Sequence, residues 1–300
     1  MSVIQSQVSN IPIEEYISGK AIFDKLKYFK CNQLKDYQNL ALPPDNHPIC
    51  VYCHTDFVNN VLINLRTYTN SFILISHNSD GKITYNPKSN SDANINLMPS
   101  NLLYWFGQNL VDNHSQIYSL PVGLENSYWS SENKHGQIFN KSKEAQKIKN
   151  LCYLNVNIDT NPQERAGLYI KLSNKNWTTK QNGRNGDNFA VYIDNIKNHS
   201  FVLCPEGNQN GHSGGVCAMG SHRVWETLYV GSIPVVKKSI ASSYFYDLPI
   251  LFIDSWEEIT QDFLESSLIR IKNSQYNIQK MFLSYWINLI DSCYEVLEDE

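Results

Sequence analysis

Apolar runs alternate with amphipathic stretches along most of the chain, and the alternation predicts an α/β protein. Residues 12–30 carry Ile13, Ile17, Ile22, Leu26 and Phe29 at roughly helical spacing, which predicts a first helix. Residues 49–53 read as a strand, 57–68 as a helix and 71–76 (SFILIS) as a second, buried strand. The aromatic-rich run 99–110 predicts a helix. Residues 117–120 predict a short strand, closed by Pro121 and Gly123. This order describes a domain with a mostly parallel sheet.

The stretch 130–149 is polar and lysine-rich, with no strand pattern, and predicts a linker. A second alternation follows. Residues 151–156 predict a strand. Asn161 can cap the next helix, with Pro162 first and Glu164 third. A Gly/Asn-rich loop is expected at 177–187, a helix at 189–197, a strand at 200–204, a helix at 221–230, and strands at 233–236 and 250–253. From Trp256 onward the pattern is mostly helical. The expected division is a first Rossmann-like domain over 1–149, a second over 150–275 and a C-terminal helix over 276–300. The cleft between the two halves is the default site.

Composition narrows the classes. In 300 residues, 42% hydrophobic and 18% charged positions are ordinary for a globular core. A net charge of −4 argues against a general nucleic-acid surface, so no nucleic-acid partner is expected. The first ten residues lack an apolar signal core, and no run approaches the ~18 residues needed to span a bilayer. The expected location is cytoplasmic, with peripheral contact at a cytosolic membrane face left open. Seven scattered cysteines fit reduced thiols.

Residues 201–236 hold the most chemistry: FVLCPEGNQNGHSGGVCAMGSHRVWETLYVGSIPVV. A buried strand runs into a Gly-rich loop. Ser221 is a natural N-cap and Gly231 a natural C′ residue for the helix that follows, and the next run is a parallel strand. In such a right-handed unit the helix N-terminus lies at the carboxyl edge of the sheet, where its free N–H groups favour a phosphate. Arg223, in the first turn, suits a diphosphate. Glu226, one turn later, suits the two hydroxyls of a ribose. Gly207 and Asn208 would allow close backbone approach. The alternative for Arg223 and Glu226 is a surface i,i+3 ion pair.

The segments Cys204-Pro-Glu-Gly-Asn208, Ser221-His-Arg-Val-Trp-Glu226 and Gly231-Ser-Ile-Pro-Val235 resemble the signature of exostosin-like glycosyltransferases (GT47-type), in a compact bacterial or viral form. Leu248-Pro-Ile-Leu-Phe-Ile-Asp-Ser-Trp256 is similar to the family's next strand and loop. Upstream, Ile75-Ser-His-Asn-Ser-Asp80, Trp105-Phe-Gly-Gln-Asn109 and Leu120-Pro-Val-Gly-Leu-Glu-Asn126 resemble its N-terminal half. The resemblance implies a GT-B fold: two Rossmann-like domains facing across a cleft, with the first on the acceptor side and the second holding a nucleotide-sugar donor. It implies Arg223 on the diphosphate and Glu226 on the ribose, with Ser221 and His222 beside them. The chain departs from the pattern in a longer loop between Asn208 and Ser221.

Position suggests further candidates. Arg165 and Lys171 lie on the first helix of the second half and would supply a basic pair for phosphate, or else a solvated face. His77, Asn78 and Asp80 follow a buried strand of the first half, where an acceptor would meet the donor sugar. An inverting transferase needs a general base there. Asp80 or His77 could serve, with Asp56 a third candidate. Asp56 and Asn78 are otherwise acceptor-side residues. Plain loop capping is the alternative for each.

Other motifs fail on order or context. Gly211-His-Ser-Gly-Gly215 fits a nucleophile elbow, but the only later histidine, His222, precedes every downstream acid. Cys50-Val-Tyr-Cys-His54 has haem-attachment spacing but overlaps a buried strand. No second Cys/His pair suits zinc, and there is no P-loop. No Asp-x-Asp occurs, so no metal and no other cofactor is expected. The expected function is transfer of a sugar from a nucleotide-sugar donor to a hydroxyl of a glycan, lipid or protein. The alternative is a non-catalytic nucleotide-sugar or glycan-binding module of the same fold. The sequence leaves the oligomeric state open.

Overall fold

The computed structural model describes residues 3–26, 29–31, 49–129, 132–172, 174–183, 188–207 and 218–298. Its first half is a five-stranded parallel sheet: β1 (Phe29–Cys31), β2 (Ile49–His54), β3 (Phe72–His77), β6 (Leu102–Gly107) and β7 (Ile117–Ser119), in that spatial order. Two-residue strands β4 (Ile83–Thr84) and β5 (Ala93–Asn94) form a small ribbon beside it. The second half is another five-stranded parallel sheet. It comprises β8 (Asn150–Val156), β9 (Thr178–Asn182), β10 (His199–Leu203), β11 (Ile233–Lys237) and β12 (Leu251–Ile253), ordered β12-β11-β10-β8-β9. Two Rossmann-like sheets across a cleft, with a helical C-terminal tail, make the expected GT-B layout.

Central parallel strands are covered on both faces, so they read as continuous apolar runs. β3 (FILISH) is buried at every position. The crossover helices instead show single stripes. Helix α3 (Val58–Leu65) buries Val58, Val61, Leu62 and Leu65, and α6 (Phe189–Lys197) buries Phe189, Tyr192, Ile193 and Ile196. Both sets follow the i, i+3, i+4, i+7 spacing of one helix face.

Four expectations fail for local reasons. Residues 12–30 are a 3₁₀ turn (Ile13–Glu15), a short helix α2 (Gly19–Lys25) and the start of β1. Ser18 begins the helix late by accepting from the Ala21 N–H at 3.1 Å. The run 99–110 is strand β6. It lies between β3 and β7, and a run buried on both faces has no period to separate strand from helix. The linker 130–149 holds helix α4 (Lys134–Lys143), in which Ile138 is the buried apolar side chain among lysines and polar groups. The loop 177–187 contains β9, a polar edge strand without the apolar alternation that marks strands facing a core.

The halves are joined by the chain ends. Helix α1 (Val3–Val8), unexpected from its polar sequence, sits beside Gly231 of the second half, where a Cβ would lie 3.3 Å from Gln5 Cα. Gly231 has φ +83°, the left-handed geometry of a helix C′ residue. Helix α9 (Leu283–Glu298) runs back against α2. The Tyr229 hydroxyl accepts from the Ile17 N–H (3.0 Å) and donates to the Met281 carbonyl (2.8 Å), with Tyr16 stacked on its ring at 4.2 Å. Helix α8 (Gln261–Lys272) packs against β8. No described helix is long and apolar enough to cross a membrane. Cys50, Cys152, Cys204 and Cys293 are free thiols. Cys50 and Cys53 lie three positions apart in β2 and so point to opposite faces, a geometry that cannot attach one haem.

Candidate active site

A cleft of about 990 Å³ opens between the carboxyl ends of the two sheets. Its second-half wall is set by topology. From β8 the chain steps outward to β9, then back across β8 to β10, so the winding reverses there. A parallel sheet presents a crevice at such a reversal. Asn155 at the end of β8, and Asn157 and Thr160 after it, line this crevice, and Gly207 follows β10.

Arg165 ties the crevice together from helix α5 (Pro162–Leu172). Its guanidinium donates to the Glu206 carbonyl through Nε (3.1 Å) and Nη2 (2.8 Å). Nη1 reaches the Asn157 carbonyl (2.9 Å) and the Thr160 hydroxyl. Asn161 caps α5 as expected, accepting from the Glu164 N–H at 3.2 Å, and donates to the Gly207 carbonyl at 3.1 Å. Burial, then the neighbouring Arg223 charge, lowers Arg165 to a pKa of about 10. Two guanidiniums therefore converge on one wall.

Arg223 lies in the first turn of helix α7 (His222–Tyr229). Its Nε donates to the Tyr192 hydroxyl at 3.2 Å, and that hydroxyl donates to Glu226 Oε2 at 2.8 Å. Burial opposes the charge of Arg223, but Tyr192, Cys204 and Glu226 outweigh it and raise its pKa. Burial, then the Glu226 carboxylate, pushes the Tyr192 phenol well above its ordinary range. Glu226 is 7% exposed, so the pair meets on a buried tyrosine and the surface ion-pair alternative falls away.

The other second-half candidates divide. His222 lines the cleft and donates Nδ1–H to the Gly123 carbonyl at 2.9 Å. Gly123, at φ +67°, brings its backbone so close that a Cβ would meet the Ile17 carbonyl at 2.2 Å. Ser221 lines the cleft at the N-cap position, but its side chain makes no capping hydrogen bond. Gly207 lines the cleft, while Asn208 lies outside the described residues. Lys171 is a correction. Six residues from Arg165 is about 240° of helix, and its Nζ bonds the Trp256 carbonyl and Glu257, both at 2.9 Å, away from the cleft.

The first-half wall comes from the ends of β2, β3, β6 and β7. His77 is a second correction. It is 1% exposed, its Nε2–H donates to the Pro121 carbonyl (3.0 Å), and its Nδ1 accepts from the Asn78 N–H (2.9 Å). Burial lowers its pKa to about 4. Both nitrogens are occupied by backbone, so His77 holds the wall and is no base. Asn78 sits at φ +63° and links Tyr52 (2.9 Å) to Asn126 (2.9 Å). Asp56 accepts from the Ser79 hydroxyl and faces His54 Nδ1 at 3.4 Å. Asp80 is exposed on the cleft, and no described residue hydrogen-bonds its carboxylate.

Sequence reasoning missed Tyr192, His54, Asn126 and Trp129, all cleft residues. Tyr192 sits within the apolar stripe of α6, where an aromatic reads as core. Asn126 ends a segment singled out for its resemblance, and Trp129 follows three residues later. Among the described residues, no three His, Cys, Asp or Glu side chains gather as a metal set.

No family model matches the chain, and no curated protein does. A solved structure of an alpha1,3-fucosyltransferase is similar to it at a TM-score of 0.46 and 11% identity, over 98% of this chain and 97% of that one.

Proposed function

We propose that the chain is a glycosyltransferase of exostosin-like type, moving a sugar from a nucleotide-sugar donor to an acceptor hydroxyl with inversion and without a metal ion. The carrying observation is the convergence of Arg223, Arg165 and Glu226 at the strand-order reversal of the second sheet. The Arg223 guanidinium in the first turn of α7 suits a diphosphate, and Arg165, whose donors hold the Glu206 and Asn157 carbonyls, adds positive charge to the same wall. The buried Glu226 carboxylate, one turn back, suits the ribose hydroxyls.

In the transfer, the acceptor oxygen forms a bond to the anomeric carbon as the bond from that carbon to the diphosphate breaks. The acceptor proton passes to Asp80, a carboxylate of the opposite wall to which no described residue hydrogen-bonds. The electron pair leaves with the nucleoside diphosphate, whose added charge Arg223 and the α7 N-terminus stabilise. Asp56, held by the Ser79 hydroxyl, stays as an acceptor-side carboxylate.

A thermal-shift screen with UDP, GDP and their sugar conjugates tests the donor reading, because bound ligand stabilises the fold by mass action. A saturable shift with one nucleoside diphosphate is expected, together with release of that diphosphate from its sugar conjugate. A shift without any turnover would favour a binding module. No shift with any conjugate would overturn both readings. Chelation with EDTA is expected to leave turnover unchanged.

A further inference from the structure

The two walls of the cleft differ in charge, and the first carries an exposed aromatic surface. Every Arg among the described lining residues lies on the second-half wall. The first-half wall offers amides (Asn78, Gln108, Asn126), hydroxyls and carboxylates (Asp56, Asp80, Glu125), and no described Lys or Arg lines it. Glu125 is neutralised by Lys134, which leaves Asp56 and Asp80 to set the sign.

Above these groups stands the turn Ser127–Trp129. Trp129 is 70% exposed and lines the cleft; Tyr128 is 61% exposed, with ring centroids 5.5 Å apart. Adjacent exposed aromatics beside a cleft form an apolar patch of the kind that marks an interaction site. The turn is held in place. Trp129 N–H donates to the Asn126 carbonyl at 3.0 Å. The Asn126 amide donates to the Tyr128 hydroxyl (3.1 Å) and to Asn78 Oδ1 (2.9 Å), and its oxygen accepts from the Lys20 N–H (2.6 Å). One asparagine thus couples the aromatic turn to the cleft floor.

Resting on the transfer reading, we infer that this wall is the acceptor subsite and that the acceptor is an uncharged saccharide, one ring of which stacks on Trp129. The C–H face of a pyranose is apolar and weakly positive, and it matches the negative face of an indole. Its ring hydroxyls match the amides and carboxylates beneath. An anionic acceptor, whether phospholipid, sulfated or sialylated, would face Asp56 and Asp80 on a wall whose described lining residues include no Lys or Arg.

The test is binding of the full chain to an array of neutral oligosaccharides and their sulfated, sialylated and phosphorylated counterparts, with phospholipid vesicles and peptides as further probes. Each is measured with and without the nucleoside diphosphate that shifts the melting temperature. Neutral oligosaccharides are expected to bind, and Trp129→Ala to weaken them about tenfold or more, in line with ~1.4 kcal/mol per decade. The nucleoside-diphosphate shift of the same variant reports that it is folded and that its donor wall is intact. Binding only of anionic glycans, vesicles or peptides would overturn the inference, as would unchanged saccharide binding in Trp129→Ala. If nucleoside diphosphate binds but no neutral saccharide does, the acceptor inference alone fails. If the diphosphate never binds, the transfer reading fails with it.

Discussion

The two halves use the same ingredients, five parallel strands with crossover helices, yet their carboxyl ends do different things. The first sheet winds in one direction, β1-β2-β3-β6-β7, and the strand ends lie against one another. Their polar groups close on themselves: His77 on Pro121, Asn78 on Tyr52 and Asn126, Trp105 on Ser76. The second sheet reverses at β8, and the gap left between the loops after β8 and β10 is bridged by Arg165 and faced by Arg223. A repeated architecture therefore yields a crevice lined by two arginines only where strand order reverses. The other copy becomes a closed, acidic and amide-rich wall.

That contrast can be broken from either side. The largest effect is expected at the Asp80 carboxylate of the first wall. Asp80→Asn should lower turnover about 10³-fold, as for loss of a general base, with the nucleoside-diphosphate shift retained; unaltered turnover would remove Asp80 from the chemistry. On the second wall, Arg223→Ala should weaken nucleoside-diphosphate binding about 100-fold, roughly 3 kcal/mol, measured by calorimetry.

The closed wall has its own signature in pH. His77 has a folded pKa of about 4 against an ordinary 6.5. Between these values the unfolded chain takes up a proton that the folded chain refuses. The stability is complete above pH 6.5 and falls as pH drops toward 4, by about 2 kcal/mol at pH 5. Urea melts at pH 7 and pH 5 should show this loss, and His77→Gln should reduce it. Tyr192→Phe tests the coupling of Arg223 to Glu226. Loss of one hydrogen-bonding hydroxyl, worth about 1 kcal/mol, should weaken diphosphate binding several-fold without altering the response of Asp80→Asn. Smallest of all, Lys171→Ala removes a bond to the exposed Glu257 and should change stability by less than about 1 kcal/mol, leaving the diphosphate shift in place.

Much of this contrast was legible along the chain, and the losses follow a rule. Helix α6 was delimited by its stripe and α7 by Gly231, because amphipathic period and C′ geometry are local. Strand β6 was misread because burial on both faces erases period. Helix α4 and strand β9 were hidden by their polar exteriors. Arg223 and Glu226 were visible from their place in a strand-loop-helix unit. Lys171 was misplaced because helix phase relative to the cleft depends on how α5 packs.

What the sequence determined by itself is the alternation of elements, the two parallel sheets and a cationic residue at the start of α7. These rest on period, capping and turn chemistry within a few residues. The tertiary structure decided what the side chains are free to do. It buried His77 between the Pro121 carbonyl and the Asn78 N–H, left Asp80 without a hydrogen bond from any described residue and inserted Tyr192 between Arg223 and Glu226. It also stood Trp129 at the mouth of the acidic wall. Whether a polar group is occupied or available depends on neighbours distant in sequence, and only the packing of the two halves brings those neighbours together.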